Sequence, residues 1–367
     1  MYQKIDRWYQ SIFWYLKYWM GDSSTHTSPT MRGIIGLANL GNTCYMNSAI
    51  QAFRHCPEWT LYCKKDGGLE KAIEQKDTKT AKIALAYQDL VQSLWAGTGP
   101  AYVKPMGFYE TLSQVVKGSL YDDFINHTPQ DAHEFLVWLL DQMYMATQKP
   151  VKMNIQLSDT VPKMTRMAIE GWRGAFEKQY SPLTDLIFGM MRIQYGCHSC
   201  KAIHTRWETF NVLKVSLSKD ESGHAKSILD CIQDEFKDET IEGYDCDACK
   251  EKTTVTKSVS IWKLPKVLLV TLKRFTPFGT RDNTPLKYDG QPLCFETVFS
   301  NETQEETKNK QYKLFATVDH HGHMGGGHYV AQCHSIVYNK WNIYDDETVH
   351  EMKEPYFGAQ TYILMFR

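Results

Sequence analysis

Two Cys-x-x-Cys pairs, Cys197-His198-Ser199-Cys200 and Cys246-Asp247-Ala248-Cys249, constrain this chain more than any other feature of it. Each pair can offer two thiolates to one ion, and the two together make the tetrahedral sulfur set that suits Zn2+. A fold that holds both must bring two distant hairpin ends together. The spacing therefore predicts a structural zinc bound by Cys197, Cys200, Cys246 and Cys249, with no open coordination position. His198 reads as a solvated knuckle residue rather than a ligand. Neither pair has the strand-to-helix setting of a thioredoxin-like redox motif. A nucleic-acid-binding ribbon needs a basic footprint, whereas few basic residues cluster here beyond Lys250 and Lys252 and the chain's net charge is −1, so nucleic acid is not an expected partner.

A second feature lies near the start of the globular part. In Gly36-Leu37-Ala38-Asn39-Leu40-Gly41-Asn42-Thr43-Cys44-Tyr45-Met46-Asn47-Ser48, a polar turn gives way to an apolar-periodic run at Cys44. That places Cys44 at or near a helix N-terminus, where free backbone N–H groups and the helix dipole favour the nucleophilic thiolate. Cys56, Cys63, Cys231, Cys294 and Cys333 read as structural thiols. Ten cysteines in 367 residues, arranged as two tight pairs and scattered singles, suit a reducing intracellular compartment, cytoplasm or nucleus, rather than a disulfide scaffold.

Farther on, His127-Thr128-Pro129-Gln130-Asp131-Ala132-His133-Glu134-Phe135-Leu136 predicts a helix with Thr128 as N-cap and Pro129 at its first position. Leu264 to Phe275 contains a nearly continuous apolar run and predicts a buried central strand. The stretch from Trp207 to Leu217 reads as strand, and Ile228 to Phe236 as a short helix. Tyr312 to Val318 predicts a further strand, which leads into Asp319-His320-His321-Gly322-His323-Met324-Gly325-Gly326-Gly327-His328-Tyr329. Such a glycine-rich loop admits a narrow substrate, and His328 after it is a candidate general base. His320, His321 and His323 with His328 lack a carboxylate or thiol at a recognisable metal-ligand spacing. In Trp341-Asn342-Ile343-Tyr344-Asp345-Asp346, either aspartate could orient His328, because adjacent strand residues face opposite ways and the sequence does not fix the pleat.

The Cys44 motif resembles the cysteine box of the ubiquitin-specific proteases, papain-like deubiquitinases, and Gly327-His328-Tyr329 resembles their histidine box. The acidic helix, cysteine quartet, apolar strand and Asp345 follow in the family's order over roughly residues 33–367. The resemblance implies an α+β papain-like cysteine protease of thumb, fingers and palm, near residues 33–185, 186–260 and 261–367, with the zinc in the fingers. It implies cleavage after the C-terminal glycine of ubiquitin or a ubiquitin-like modifier on ubiquitinated proteins. Cys44 would be nucleophile, His328 proton relay and Asp345 the orienting acid, with Asp346 the alternative. By the same resemblance Asn39 would donate to the oxyanion and His320 would assist it. Gln130, Asp131 and Glu134 would hold the extended tail, although His133 departs from the family's usual glutamine. The rival readings are a ubiquitin-binding scaffold without turnover and an enzyme that needs an activating protein partner.

Residues 1–20 crowd Trp8, Tyr9, Phe13, Trp14, Tyr15, Tyr18 and Trp19 among Lys4, Arg7 and Lys17, and a small, polar linker follows at 21–32. The segment suits a helix lying on a membrane surface or docked on a partner, and equally an extra helix packed on the domain. Residues 148–178 match no motif of the family and read as an insertion or lid. Co-sedimentation with lipid vesicles, with and without residues 1–20, separates the readings of the N-terminal segment: loss on deletion supports the membrane, unchanged sedimentation refutes it.

Overall fold

The computed structural model describes residues 33–65, 67–96, 101–154, 158–276, 279–300, 302–303, 310–323 and 325–367. The aromatic segment 1–20 and the linker 21–32 lie outside them. Helices α1 (Cys44–Arg54), α2 (Lys79–Trp95), α3 (Met106–Val116) and α4 (Ala132–Thr147) form the thumb. In α2 Ile83, Tyr87, Leu90, Val91 and Leu94 recur at helical spacing and are all buried, and Thr78 caps the helix by accepting from Ala81 N. Helix α1 stops at Arg54, and Pro57 opens the next helix in its first turn, where a missing N–H is harmless.

The palm is a seven-stranded sheet packed on α1. Numbering strands in chain order, β1 (Gly189–Cys197), β2 (Ile203–Phe210), β4 (Glu239–Asp245) and β5 (Lys252–Lys263) form the separate fingers sheet in the order β2-β1-β5-β4. The palm runs β10 (Thr348–Met352), β9 (Lys340–Asp345), β8 (Gly326–Ser335), β7 (Leu314–His323), β11 (Thr361–Phe366), β6 (Leu268–Leu272) and β3 (Val212–Val215). All neighbours are antiparallel except β3 and β6. The apolar run from Leu264 becomes β6, with all five residues buried. One face of the sheet meets the thumb through Ala316, Val318, Ala331 and Ile363. The other covers a second core of Leu268, Val270, Leu314, Leu364 and Phe366.

The stretch from Trp207 to Leu217 is two strands rather than one. The chain leaves the fingers at Phe210 and enters the palm at Val212, so part of the segment between the cysteine pairs belongs to the palm sheet. Helix α5 (Lys163–Phe176), within the unmatched segment, packs on the fingers: a Cβ on Gly171 would stand 2.9 Å from Trp207 Cβ. Lys263 Nζ lies 3.5 Å over the Trp172 ring. Met191 and Val259, whose side chains line a cavity beside α4, sit at alternate register to Trp207. The insertion thus braces the outer face of the fingers and does not cover that cavity.

The expected cap of α4 is corrected. Asp131, not Thr128, is the N-cap: its Oδ1 accepts from His133 N at 2.6 Å and Glu134 N at 3.1 Å. The helix begins only at Ala132, so Thr128 and Pro129 precede it, and the Thr128 hydroxyl accepts locally from Gln130 Nε2 at 2.8 Å. The other carboxylate oxygen of Asp131 accepts from the Tyr362 hydroxyl of β11 at 2.7 Å, tying thumb to palm. Asp131→Ala is expected to cost about 2 kcal/mol, from a lost cap and a buried hydroxyl left unpaired. Tyr362→Phe should cost less, and urea unfolding of the single and double variants should show sub-additive losses.

Candidate active site

Asn47, Gln51 and Arg54 recur along one side of α1, and that polar side is buried with the rest of the helix. The amides of Asn47 and Gln51 find partners in the extended chain that precedes it. Asn47 Nδ2 donates to Leu37 O and Ala38 O at 3.3 and 3.2 Å, and Gln51 Nε2 donates to Ile35 O at 3.0 Å. Asn47 also donates to Asp346 Oδ1, and Asn39 Nδ2 to Asp346 Oδ2, both at 2.8 Å. Leu37 N donates to Asp346 O at 2.8 Å, and Asn39 N to Glu347 Oε1 at 2.9 Å. A Cβ on Gly36 would lie 2.6 Å from Asp346 O, so only glycine permits this approach. The turn before Cys44 is thereby clamped to the turn after β9.

Asn39 Oδ1 accepts from Gly41 N at 2.9 Å and Thr43 N at 3.1 Å, an Asx-type turn that hands the chain into α1. The helix has no side-chain cap at its N-terminus. Cys44 stands at the helix's first residue and is buried.

His328 stands near the start of β8, and its Nε2 lies 2.6 Å from Asp345 Oδ1 at the end of β9. The Cys44 side chain first, then the bond and charge of Asp345, overcome partial burial and hold the imidazole up to about 9. Of the two adjacent aspartates, Asp345 therefore faces His328. Asp346 leaves the strand with φ of 47° and serves as the clamp. Behind them the Tyr344 hydroxyl lies 2.9 Å from His55 Nε2, in the core under the acid-bearing strand.

Cys44 opens onto a cleft of about 180 Å³ lined by Gln130, Asp131, Phe275, His320, Gly326, Gly327 and Tyr329. Gln130 and Asp131 thus face it, whereas Glu134 is exposed in the first turn of α4 and is not part of the lining. His320 is buried against Tyr329 with ring centroids 4.5 Å apart. Burial, helped by the charge of Arg281, pulls it down to about 4, so it is neutral at physiological pH. A Cβ on Gly327 would overlap the His320 ring and lie 2.7 Å from His321 O, which accounts for glycine there.

The cysteine quartet converges. Cys200 and Cys246 sulfurs are 3.7 Å apart, Cys197 and Cys249 sulfurs 4.0 Å, and all four lie within 4.8 Å of one another. A tetrahedral Zn–S bond of about 2.3 Å implies sulfur separations of roughly 3.8 Å, so the donor set fits a metal of that size. Both knuckles share one backbone form, with Lys201 and Lys250 at φ of 61° and 60°. Lys201 N donates to Cys197 O at 3.1 Å and Lys250 N to Cys246 O at 2.8 Å. His198 is exposed and bonds Thr256, outside the sulfur set.

Sequence reasoning missed Asn47, Glu347 and Tyr362. A signal existed for Asn47, since polar residues one helical turn apart in an otherwise apolar helix imply a buried polar contact. None existed for Tyr362, whose partner is far away in sequence.

Comparison with known proteins agrees with this geometry. The family model described as ubiquitin carboxyl-terminal hydrolase matches residues 35–366. Ubiquitin carboxyl-terminal hydrolase 2 of Bos taurus is 27% identical over 93% of this chain and 56% of its own length, so the chain spans little more than half of that relative. The Gallus gallus protein of the same name is 28% identical over 93% of this chain and 94% of its own. Among solved structures, the SAGA DUB module Ubp8/Sgf11/Sus1/Sgf73 bound to ubiquitin aldehyde superposes with a TM-score of 0.69 at 21% identity, covering 95% of this chain and 73% of that one. This last likeness speaks for the fold. With the family model spanning nearly the whole described chain, the chain belongs to the ubiquitin carboxyl-terminal hydrolase family.

Proposed function

We propose that this chain is a thiol-dependent deubiquitinase that hydrolyses isopeptide or peptide bonds at the C-terminal glycine of ubiquitin. The observation that carries the reading is His328 Nε2 held 2.6 Å from Asp345 Oδ1, with Cys44 at the start of α1 acting on the same imidazole. The Cys44 sulfur attacks the glycyl carbonyl. His328, whose Nε2 is committed to Asp345, passes its proton to the departing amine. Water then attacks the thioester with His328 as base, releasing ubiquitin and the free thiol. The Asn39 amide, held at one N–H by Asp346, offers its second N–H to the oxyanion beside the Cys44 backbone N–H. Neutral His320 borders the same cleft, and Gln130 and Asp131 stand where an extended tail would pass. Glu134 would meet the tail outside the cleft. Asp131 can take part only by sharing oxygens already engaged by the helix cap and Tyr362.

Zn2+ is the ion we assign to Cys197, Cys200, Cys246 and Cys249, held in a closed structural site in the fingers. A reducing intracellular setting suits both this site and a free nucleophilic thiol. Among the described residues no helix is long and apolar enough to cross a membrane, and residues 1–20 remain the candidate for surface contact. Activation by a protein partner is the second reading, suggested by the multi-subunit assembly of the structural neighbour. The alignment of His328 with Asp345 in the single chain favours activity without one.

Ubiquitin bearing a C-terminal electrophile should form a covalent adduct that is absent in Cys44→Ala; no adduct with zinc-replete protein would refute the reading, and a panel of ubiquitin-like modifiers reports the preference. His328→Asn should lower turnover of a fluorogenic ubiquitin substrate roughly 10²–10⁴-fold.

The pH profile follows from the raised histidine. The imidazolium is lost above about 9, so kcat/KM should fall on the alkaline side near that value. Asp345→Asn removes a bond and a charge that raise it, so the alkaline limb should move down toward the ordinary value of about 6.5. An unmoved limb would assign it to another group.

Stripping the metal with a chelator should unfold the fingers and lower kcat/KM for ubiquitin, while leaving alkylation of Cys44 by iodoacetamide nearly unchanged. Metal analysis should return one zinc per chain, lost in Cys246→Ser.

A further inference from the structure

The turn that delivers Cys44 is gripped twice, and the catalytic reading uses only one of the grips. From the palm, Asp346 and Glu347 hold it at Asn39. Two residues on, the thumb takes hold, because the loop before α4 brings His127 against Gly41 and Asn42. Asn42 Nδ2 donates to His127 O at 2.6 Å, and His127 Nδ1 donates to Gly41 O at 3.2 Å. A carbonyl only accepts, so this contact requires the proton on Nδ1. On its other side the His127 ring stacks on Tyr109 of α3 with centroids 5.8 Å apart, and Nε2 faces the Tyr109 hydroxyl at 3.4 Å.

The backbone at this junction is shaped for the contact. Gly41, Asn42 and His127 all take left-handed φ, of 103°, 54° and 53°. Asparagine and histidine are among the few side chains that tolerate that region. A Cβ on Gly41 would stand 3.0 Å from His127 Nδ1, so the ring already rests against the turn. Asn42 lines the catalytic cleft with Cys44, and so does Gln130, three residues after His127.

We propose that His127 is a positioning residue: from the thumb it fixes the Gly41-Asn42 turn, and through that turn the Cys44 sulfur and backbone N–H that the reaction uses. The inference rests on the proposed thiol chemistry at Cys44, and His127 itself touches no reacting atom. With Asp346 as the only anchor, the segment between Asn39 and α1 could pivot; the thumb supplies the second anchor. Gly41, Asn42 and His127 are exposed, so their contacts compete with water and add little to global stability. Loss of the grip should therefore register in the placement of Cys44 rather than in unfolding.

Two variants separate the ring from the backbone that carries it. His127→Gly deletes the ring, permits the left-handed φ and keeps the carbonyl that Asn42 uses. His127→Asn returns an N–H near the place of Nδ1 and tolerates the same φ. With a fluorogenic ubiquitin substrate, His127→Gly should lower kcat roughly 10–100-fold at unchanged KM, because a misplacement of about 1 Å is that costly. His127→Asn should recover most of the loss. An unchanged kcat, or a loss carried by KM alone, would overturn the proposal, as would His127→Asn being as slow as His127→Gly.

The second measurement needs no substrate. Asn39 Oδ1 holds the N–H groups of Gly41 and Thr43 inside the turn, so their hydrogen exchange reports how firmly it is fixed. Mass spectrometry of His127→Gly should show faster exchange in peptides spanning residues 39–44, with peptides of α2 unchanged. No acceleration in the turn overturns the proposal. Acceleration there, together with a parent chain inert toward ubiquitin, would uphold the grip and refute the deubiquitinase reading. Circular dichroism of each variant establishes that it is folded.

Discussion

One carboxylate joins the two halves of the catalytic domain. Asp346 receives the amides of Asn39 and Asn47, which lie 307 and 299 residues away in sequence, while its own carbonyl receives Leu37 N. Each amide satisfies an acceptor that would otherwise be costly to bury. Burial raises this carboxyl, and the amides of Asn47 and Asn39 oppose the rise in part. Because Asp346 follows Asp345 directly, fixing one fixes the origin of the other. Cys44 and the aspartate that faces His328 are thus held in register by the residues beside them.

Much of this was legible from the chain. The cysteine box, the histidine after the glycines and the cysteine quartet each need particular residue types at particular spacings; the four quartet sulfurs do converge, and Cys44 does border the glycines that precede His328. What was hidden depends on pairing across long separations. Asp345 and Asp346 are chemically equal in sequence; only the end of β9 and the left-handed turn at Asp346 distinguish them. The cap of α4 was misplaced because Thr128-Pro129 is a good start signal locally, whereas the helix begins only at Ala132, where the Asp131 carboxylate meets the free N–H groups of His133 and Glu134. The strand from Trp207 onward looked continuous because apolar residues do not announce a change of sheet.

The fingers show a different economy. Their sheet has almost no core of its own beyond Val255 and the sulfurs themselves, with Tyr195 and Tyr244 stacked at 5.2 Å nearby. A metal held by the four sulfurs would substitute at the tip for burial that a narrow four-stranded ribbon cannot provide. At the root, α5 and the Trp172, Trp207 and Trp262 cluster brace the outer side.

Strand β11 is the last in sequence but lies in the middle of the palm, between β7 and β6. The edges of that sheet are synthesised before its centre. Until Thr361–Phe366 has been made and inserted, β7 and β6 have no shared neighbour, and Tyr362 cannot reach the carboxylate that starts α4. A growing chain thus carries Cys44 from early on, yet cannot complete the sheet that holds His328 until β11 has been made. Closure of the palm therefore waits on a strand that follows all of its sheet partners in sequence.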